Sequence, residues 1–425
     1  MTDSSLIRQV AWAQESAQGG GPPTDWATDG VLFRFLRDSI DPSVFQEEMI
    51  PDERARLRVL GKFVDIHGIK GGIEFALESY HTGGEETSRT DADTQALTDY
   101  MALWEHALGR ITRPPSSTAS VGGAHGVGAV EFADASVYSE GDWLGFPDAG
   151  TGVIRPRRID SIASNVCTLN MDLPAAPSDG DLIRGLAYAD IDESDLIDSS
   201  VGPQTLAFLL MVGQIGSEIG YDARGCVASP TSIVLERNSP PKVSWQVLAA
   251  SFLTPQEVTV PTFSASPAGQ PGIHVGTTTE VLAANFGSST TSNLHVPSFA
   301  ITPGIVRTPV DTQTEVDSGM PGRSHYALGE EDCIIEMTVT PHVDQNLTDF
   351  ENDQLKHLLY SRLASDGLGF AFYFPRAQIT PRPGFSPVAD AARGQSLRFK
   401  CLDDVDNAPA GAAAGWGSRM TVIFG

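Results

Sequence analysis

Apolar and polar residues alternate through Gly72-Ile73-Glu74-Phe75-Ala76-Leu77-Glu78-Ser79-Tyr80, which predicts a strand with one wet face. The same alternation returns in Asp332 to Pro341, with Ile335, Met337 and Val339 on one side. It also marks Thr231 to Arg237 and Lys242 to Leu248, joined by Asn238-Ser239-Pro240-Pro241, which predicts a hairpin with a four-residue loop. The period changes over Ala96 to Arg110. There Leu97, Tyr100, Met101, Trp104 and Leu108 recur at helical spacing and Gly109 supplies a stop. Leu355, Leu358, Leu359 and Leu363 show a similar spacing and predict a second helix, after an acidic loop containing Asp344, Asp349 and Glu351.

The remaining segments are shorter. Residues 1 to 50 read as an extended arm with loops, broken at Gly19-Gly20-Gly21-Pro22-Pro23, with a short apolar run from Val31 to Phe35. Residues 55 to 66 could pair with the strand that follows them. Residues 112 to 129 are rich in Pro, Ser and Gly and look like a linker. From Glu131 to about Ile191 the pattern is one of short strands, including Arg158 to Leu173 and Leu182 to Tyr188. Turns fall at Gly141-Asp142-Trp143 and Ser178-Asp179-Gly180-Asp181, which suggests a compact β-barrel inserted in a larger fold. Residues 205 to 220 are apolar and fit a strand or a short helix; 262 to 292 read as a loop or boundary. Further strands are expected at Gly369 to Phe374, Ser396 to Leu402 and Arg419 to Phe424.

Set side by side, two stretches match. Ile73, Glu74, Phe75 and Leu77 correspond at one constant offset to Ile335, Glu336, Met337 and Val339, and each stretch continues through an acidic loop into an apolar segment of helical period. The fold class expected is mainly β (α+β). Two tandem β-sandwich or barrel domains, each with a flanking helix, would occupy 1–115 with 200–262 and 263–425, and a small β domain inserted in the first would occupy 116–199.

Composition narrows the function classes. The 42 glycines and 28 prolines suit many short strands joined by turns. A formal net charge of −26 repels nucleic-acid phosphates and anionic lipid, so sequence-specific DNA binding is not expected. The four cysteines (Cys167, Cys226, Cys333 and Cys401) are far apart, and no pair has zinc-like spacing, so buried free thiols are expected. The opening Met1-Thr2-Asp3-Ser4 lacks a basic and then apolar leader, and no apolar stretch is long enough for a bilayer span, so a soluble product of a reducing cytoplasm is expected.

Catalytic signatures are missing from the sequence: GxSxG, HExxH and the Walker A loop do not occur. Gly122-Gly123-Ala124-His125-Gly126-Val127-Gly128 imitates a phosphate loop, but no Lys-Ser/Thr follows it. Asp190, Asp192, Asp195 and Asp198 cluster, as do Asp403, Asp404 and Asp406, without the glycine of a calcium loop, so solvated acidic loops are expected. His295, His325 and His342 lie in separate segments with no assignable carboxylate partner, and Trp104 and Trp245 are expected as core anchors. No catalytic, cofactor or metal residue is assigned, and the chain is not expected to be an enzyme.

Three passages carry a resemblance to the tail tube proteins of siphophages. The first is Val59 to Tyr80 followed by Tyr100-Met101-Ala102-Leu103-Trp104-Glu105-His106-Ala107-Leu108. The second runs from Gly225-Cys226-Val227 through Ile233-Val234-Leu235-Glu236 to the strand from Val243 to Ala250. The third runs from Ser298-Phe299-Ala300-Ile301 through Tyr326-Ala327-Leu328-Gly329 to Ile335, Met337 and Val339. They cover under half the chain and resemble the family in order and texture rather than in a sharp motif; residues 130 to 190 depart from its simplest form. The resemblance implies a virion protein assembled in the host cytoplasm. It would stack as rings, as a trimer with pseudo-sixfold symmetry where two tube domains run in tandem, and contact the tape measure protein and tail-end or baseplate proteins. DNA would pass through the bore without binding, and no membrane is involved. Within it, Glu74, Glu336 and, less centrally, Glu78 are the expected bore-facing carboxylates. Another virion component (baseplate, capsid-associated or adhesion protein) is the alternative, and a β-rich hydrolase acting through paired carboxylates is a more distant one.

Overall fold

The computed structural model describes residues 7–15, 25–33, 73–80, 99–191, 205–212, 219–236, 242–249, 251–253, 279–311, 323–340, 345–363, 369–387, 393–403 and 418–424. In chain order the first elements are β1 (Ile7–Gln14), α1 (Trp26–Asp29), β2 (Val31–Phe33), β3 (Ile73–Tyr80), α2 (Asp99–Leu108) and β4 (Gly109–Thr112). Next come β5 (Ser117–Thr118), β6 (Ala129–Glu131), β7 (Trp143–Pro147), β8 (Ile154–Ala163), β9 (Val166–Leu169), β10 (Leu182–Gly185) and β11 (Ala187–Ile191). The middle of the chain supplies β12 (Leu206–Val212), β13 (Ile219–Glu236), β14 (Lys242–Ala249), β15 (Ser251–Leu253), β16 (Glu280–Asn285), β17 (Ser292–Asn293), β18 (Ser298–Thr302), β19 (Ile305–Asp311) and β20 (Arg323–Glu330). The last elements are β21 (Cys333–Val339), α3 (Gln345–Glu351), β22 (Leu355–Leu363), β23 (Gly369–Ile379), β24 (Gly384–Pro387), β25 (Arg393–Leu402) and β26 (Thr421–Phe424).

The molecule is mainly β, with antiparallel sheets and a half-barrel. Two long strands organise it. β13 pairs through Ile219 to Cys226 with β12 and through Val227 to Val234 with β14. The change of partner falls at Gly225, whose φ of 59° a side chain would oppose and whose N–H donates to buried Glu15. β23 and β24 act together in the same way. β23 pairs with β22 along its length, while β25 pairs with β23 over Arg376 to Ile379 and with β24 over Gly384 to Pro387. Proline interrupts both long strands, at Pro230 beside a register shift and at Pro381-Arg382-Pro383, where a missing N–H is tolerated.

The pairings around these strands repeat. β1 joins β2 and β12, and β16 joins β17 and β22. β13 joins β12, β14 and β15; β23–β24 joins β22, β25 and β26. β14 then joins β3, and β25 joins β21. Thus β3 and β21, the strands that match in sequence, hold corresponding places in two copies of one hydrogen-bonding scheme. The copies are joined inside the chain where Ile233 to Glu236 of β13 pairs with Ser298 to Ile301 of β18.

One core lies between the layers. Trp104 of α2 meets Trp245 of β14 edge-on at a centroid separation of 4.9 Å and Phe372 at 6.5 Å. Phe299, Tyr360, Phe370 and Phe374 extend the same cluster. Both tryptophans are the core anchors the sequence suggests, and such ring pairs add roughly 1 kcal/mol beyond the area they bury. The four cysteines are free and buried, also as expected.

Several expectations fail for identifiable reasons. Residues 355–363 form β22, not a helix; the helix is α3, and Asp349 and Glu351 belong to it rather than to a loop. β22 is covered on both faces, with Leu358 and Tyr360 in the main core and Leu359 and Leu363 in a second cluster. A strand buried on both sides reads as a continuous apolar run that periodicity cannot separate from a helix. Ile7–Gln14 is not part of an arm, because it is a strand held between β2 and β12. The described part of the 205–220 segment is strand, one of the two forms its sequence allows, whereas β16 lies inside the expected 262–292 loop. Arg158 to Leu173 is not one strand but the β8–β9 hairpin, turned at Ser164 with φ 56°. Residues 55–66 and Gly19 to Pro23 lie outside the described residues.

The expected 112–129 linker is built into a small unit. Its six-stranded sheet has the order β5-β10-β7-β8-β9-β6, and the bridge Ala119↔Phe132 brings its two ends together. Phe132, Tyr138, Leu144, Phe146 and Ile159 fill it. β11, which the sequence reading placed with this insert, belongs to the large sheet; there it pairs with β4, so the strands leading in and out lie side by side.

Among its described side chains, α2 contributes one buried titratable group. His106 Nε2 accepts from the Ala228 N–H at 3.4 Å, and its backbone oxygen accepts from Arg307 at 2.7 Å. Burial, and then the Arg307 charge, hold its pKa well below the usual 6.5. The unfolded chain therefore takes up this proton first as pH falls. The stability contributed by neutral His106 is complete above its ordinary value of 6.5 and is lost progressively as pH drops from there towards the depressed folded value. Urea unfolding between pH 7.5 and about 5 should show wild type weakening, and His106→Gln, which keeps an acceptor without titrating, should flatten that slope.

Candidate functional site

Among the described side chains, the most regular outward-facing surface is that of β14, the end of β13, β18, β21 and β25, joined in that order, with β3 paired to the far side of β14 by backbone register. Its origin is plain alternation. In β21, Cys333, Ile335, Met337 and Val339 are buried and Glu336 is exposed; in β14, Val243, Trp245, Val247 and Ala249 are buried while Ser244, Gln246 and Leu248 are half-buried. The other outer positions are mostly small or polar (Ser232, Ser298, Ala300, Thr302, Thr338 and Ser396); Val234, 38% exposed, and half-buried Ile334 are apolar exceptions, and Lys242 is exposed at the start of β14. The face is therefore largely hydrogen-bonding, with Val234, Leu248 and Ile334 as its apolar side chains.

Glu336 sits in this face, 66% exposed, at the register position between Ala300 and Arg398. Arg398 Nε lies 3.5 Å from its carboxylate. Lys400 holds Asp332 at 2.6 Å one step along the same strand pair. The face thus carries both signs near β21, where the sequence suggested carboxylates alone. Positions 74 and 78 lie opposite Leu248 and Ser244. The side chains of Glu74 and Glu78 lie outside the described residues, so backbone register alone fixes their place. Leu248 and Arg398 occupy corresponding positions in the two copies of the scheme, so only the second copy sets a cation opposite its glutamate.

The other singled-out groups fall elsewhere. Asp190 is buried in β11 and accepts from Thr421 and Ser418. Asp403 accepts from the Arg419 N–H at 2.9 Å. Asp192, Asp195, Asp198, Asp404 and Asp406 lie outside the described residues, as do Asp344, His342 and the side chain of His325; His295 is exposed. Among the described residues no group of three or more His, Cys, Asp or Glu could hold a metal ion. In the glycine-rich turn, the Gly122 N–H donates to Asp179 at 2.8 Å and the Ala124 N–H to Glu131 at 2.7 Å. Two donors that a phosphate would use are thus spent on carboxylates.

A second surface joins the small unit to the large sheet. Trp143, Ile154, Met171 and Leu186 pack on Leu282, Leu359, Ala371 and Tyr373, the outer face of the β16–β22–β23 layer. Trp143 meets Tyr373 edge-on at 5.0 Å, and the Arg158 guanidinium lies 5.1 Å from the centroid of the same ring. Buried Glu280 of β16 receives Arg155 at 2.7 Å and approaches Arg157 at 3.5 Å. Arg155 is shared with Asp148, which it and then Thr151 hold down at a pKa of about 2. Arg157 is fully buried, and desolvation lowers its pKa while Glu280 pushes it back up. Sequence inspection missed this clamp because its members are more than a hundred residues apart; the signal available was arginine at 155, 157 and 158 in a segment otherwise reading as core.

A third feature is an edge. β18 fills the outer side of β13 at Ile233 to Glu236, whereas the corresponding side of β24 carries no strand among the described residues. Elsewhere, β19 and β20 form a two-stranded hairpin of their own, with β19 against β13. Compared with known proteins, the chain matches no family model and no curated relative.

Removing one member of a buried ion cluster leaves the rest unpaired, which costs about 3–5 kcal/mol. Glu280→Ala should therefore loosen the small unit before the main core melts. Limited proteolysis should show new cleavage near residues 113–116 and 186, with little change in overall strand content by circular dichroism.

Proposed function

We propose that this chain is the structural subunit of a hollow tube of the siphophage tail kind, assembled from copies of itself, through which viral DNA passes on ejection. The observation that carries the proposal is the junction between β13 and β18. There, one copy of the repeated pairing scheme extends the sheet of the other by strand addition. The equivalent edge at β24, which carries no strand among the described residues, would offer the same geometry to a second molecule. A heterologous contact of this kind continues until the rotation closes a ring, and closure removes exposed edges. Two schemes per chain suit three chains arranged with pseudo-sixfold symmetry as two tandem tube domains, and the small barrel clamped to the opposite layer would then sit away from the bore.

The outer face of the β3-to-β25 sheet suits a wall that DNA slides past. Its small hydroxyl-bearing residues give little purchase, and Glu336 with Arg398 presents no unpaired cation to phosphate. Together with Glu74 and Glu78, and a net charge of −26, such a wall repels more than it binds. The β19–β20 hairpin is anchored in its own chain by Ile305 in the main core and Arg307 on α2, and its far end would reach an adjacent ring. The tape measure protein and tail-end proteins are the expected further partners, the virion tail the expected location and an enzymatic role is not proposed. The second reading, another virion component, predicts isolated rings or single subunits in place of cylinders.

Negative-stain imaging of the purified protein should show hollow cylinders. Ser386→Lys, which puts a charge in the β24 edge, should give folded subunits without cylinders; cylinders of normal length from that variant would contradict the proposed contact. Glu74→Lys with Glu336→Lys should leave assembly intact and slow DNA ejection, and unchanged ejection kinetics would remove these residues from the bore.

A further inference from the structure

The antiparallel register of β21 and β25 sets Cys333 directly opposite Cys401. Both side chains point into the main core, at 0% and 4% exposure, and both thiols are free. They are near enough for the two thiols to share a hydrogen bond. Directly opposed residues in an antiparallel pair have Cα atoms about 4.5–5.5 Å apart, inside the span a disulfide bridges without moving backbone. Sixty-odd intervening residues hide this proximity in the sequence, where the four cysteines look scattered.

We infer that Cys333 and Cys401 are a cross-strand dithiol that closes to a disulfide when the folded protein meets a peroxide. One thiolate attacks a peroxide oxygen, the O–O bond breaks, and a sulfenic acid and water (or an alcohol) result. The second thiol attacks the sulfenic sulfur, an S–S bond forms and a second water leaves. Two thiols and one hydrogen peroxide give one disulfide and two waters. Burial, and then the hydrogen bond to Cys333, push the Cys401 thiol up, so the pair survives folding in a reducing compartment and reacts slowly afterwards. The pair lies at the first residue of β21, directly after exposed Glu331 and Asp332, and brief fraying of this strand end would admit the oxidant. Closure staples the strand carrying Glu336 to the strand carrying Arg398. It also cross-links a long loop of the unfolded chain, where a disulfide has its largest effect.

The test is peptide mapping of the folded wild-type protein after incubation with hydrogen peroxide, with remaining thiols alkylated in denaturant. The inference predicts a Cys333–Cys401 linked peptide that dithiothreitol releases, two alkylated cysteines left of the original four, and a rise in Tm of about 5 °C. Cys167→Ala with Cys226→Ala leaves only the pair and should give the same linked peptide and the same rise. Recovery of Cys333 and Cys401 as free thiols, or as sulfinic or sulfonic acids without a linked peptide, would overturn it. Should the double variant fail to fold, the wild-type map alone decides.

Discussion

The ladders of β13 and of the β23–β24 pair must each serve two sheets, and almost every other feature follows from that demand. A strand that changes partners half-way has to bend, and it bends at a glycine of positive φ or beside a proline that leaves a ladder bond unmade. The β12 and β22 sides and the β14 and β25 sides contribute to one shared core. Apolar faces then enclose a space that Trp104, Trp245, Phe299, Phe372 and Phe374 fill. Because the ladders run from one layer into the other, breaking the core would also break the sheets, which favours one cooperative unit around the large sheet.

The second consequence is that the β16–β22–β23 layer has two apolar faces. One faces the main core; the other, carrying Leu359, Ala371 and Tyr373, needs cover and receives it from the small barrel. The barrel is thereby part of the folded economy of the molecule and not a loose appendage. Glu280 adds direction to this apolar contact: a carboxylate buried among Arg155 and Arg157 tolerates little displacement, because any shift leaves charge unpaired in a low-dielectric setting.

Legibility in the sequence tracks how many faces an element buries. β14 and β21 bury one face and show clean alternation; α2 ends at Gly109, so its position is readable. β22 and β1 are covered on both sides and lose the alternation, so their sequences resemble those of a helix and an irregular arm. The turns of the small barrel are marked by Gly141 and Gly180, but its first strand is only two residues long and hides in a Pro-Ser-Gly segment. Of the candidate site, the place of Glu336 on a wet face was readable from alternation alone. Its neighbour Arg398, the Arg155–Glu280–Arg157 clamp and the Cys333–Cys401 pair were not, since each depends on register between distant segments.

The central claim is that the chain's internal β13–β18 junction is the pattern for contacts between chains. A cryo-electron microscopy reconstruction of the assembled protein tests it most directly. The account predicts a hollow wall in which the sheet runs on from β24 of one subunit into the β3 side of the next, repeating the β13–β18 pairing. A particle in which β24 faces solvent, or in which subunits meet through the small barrel, would contradict it.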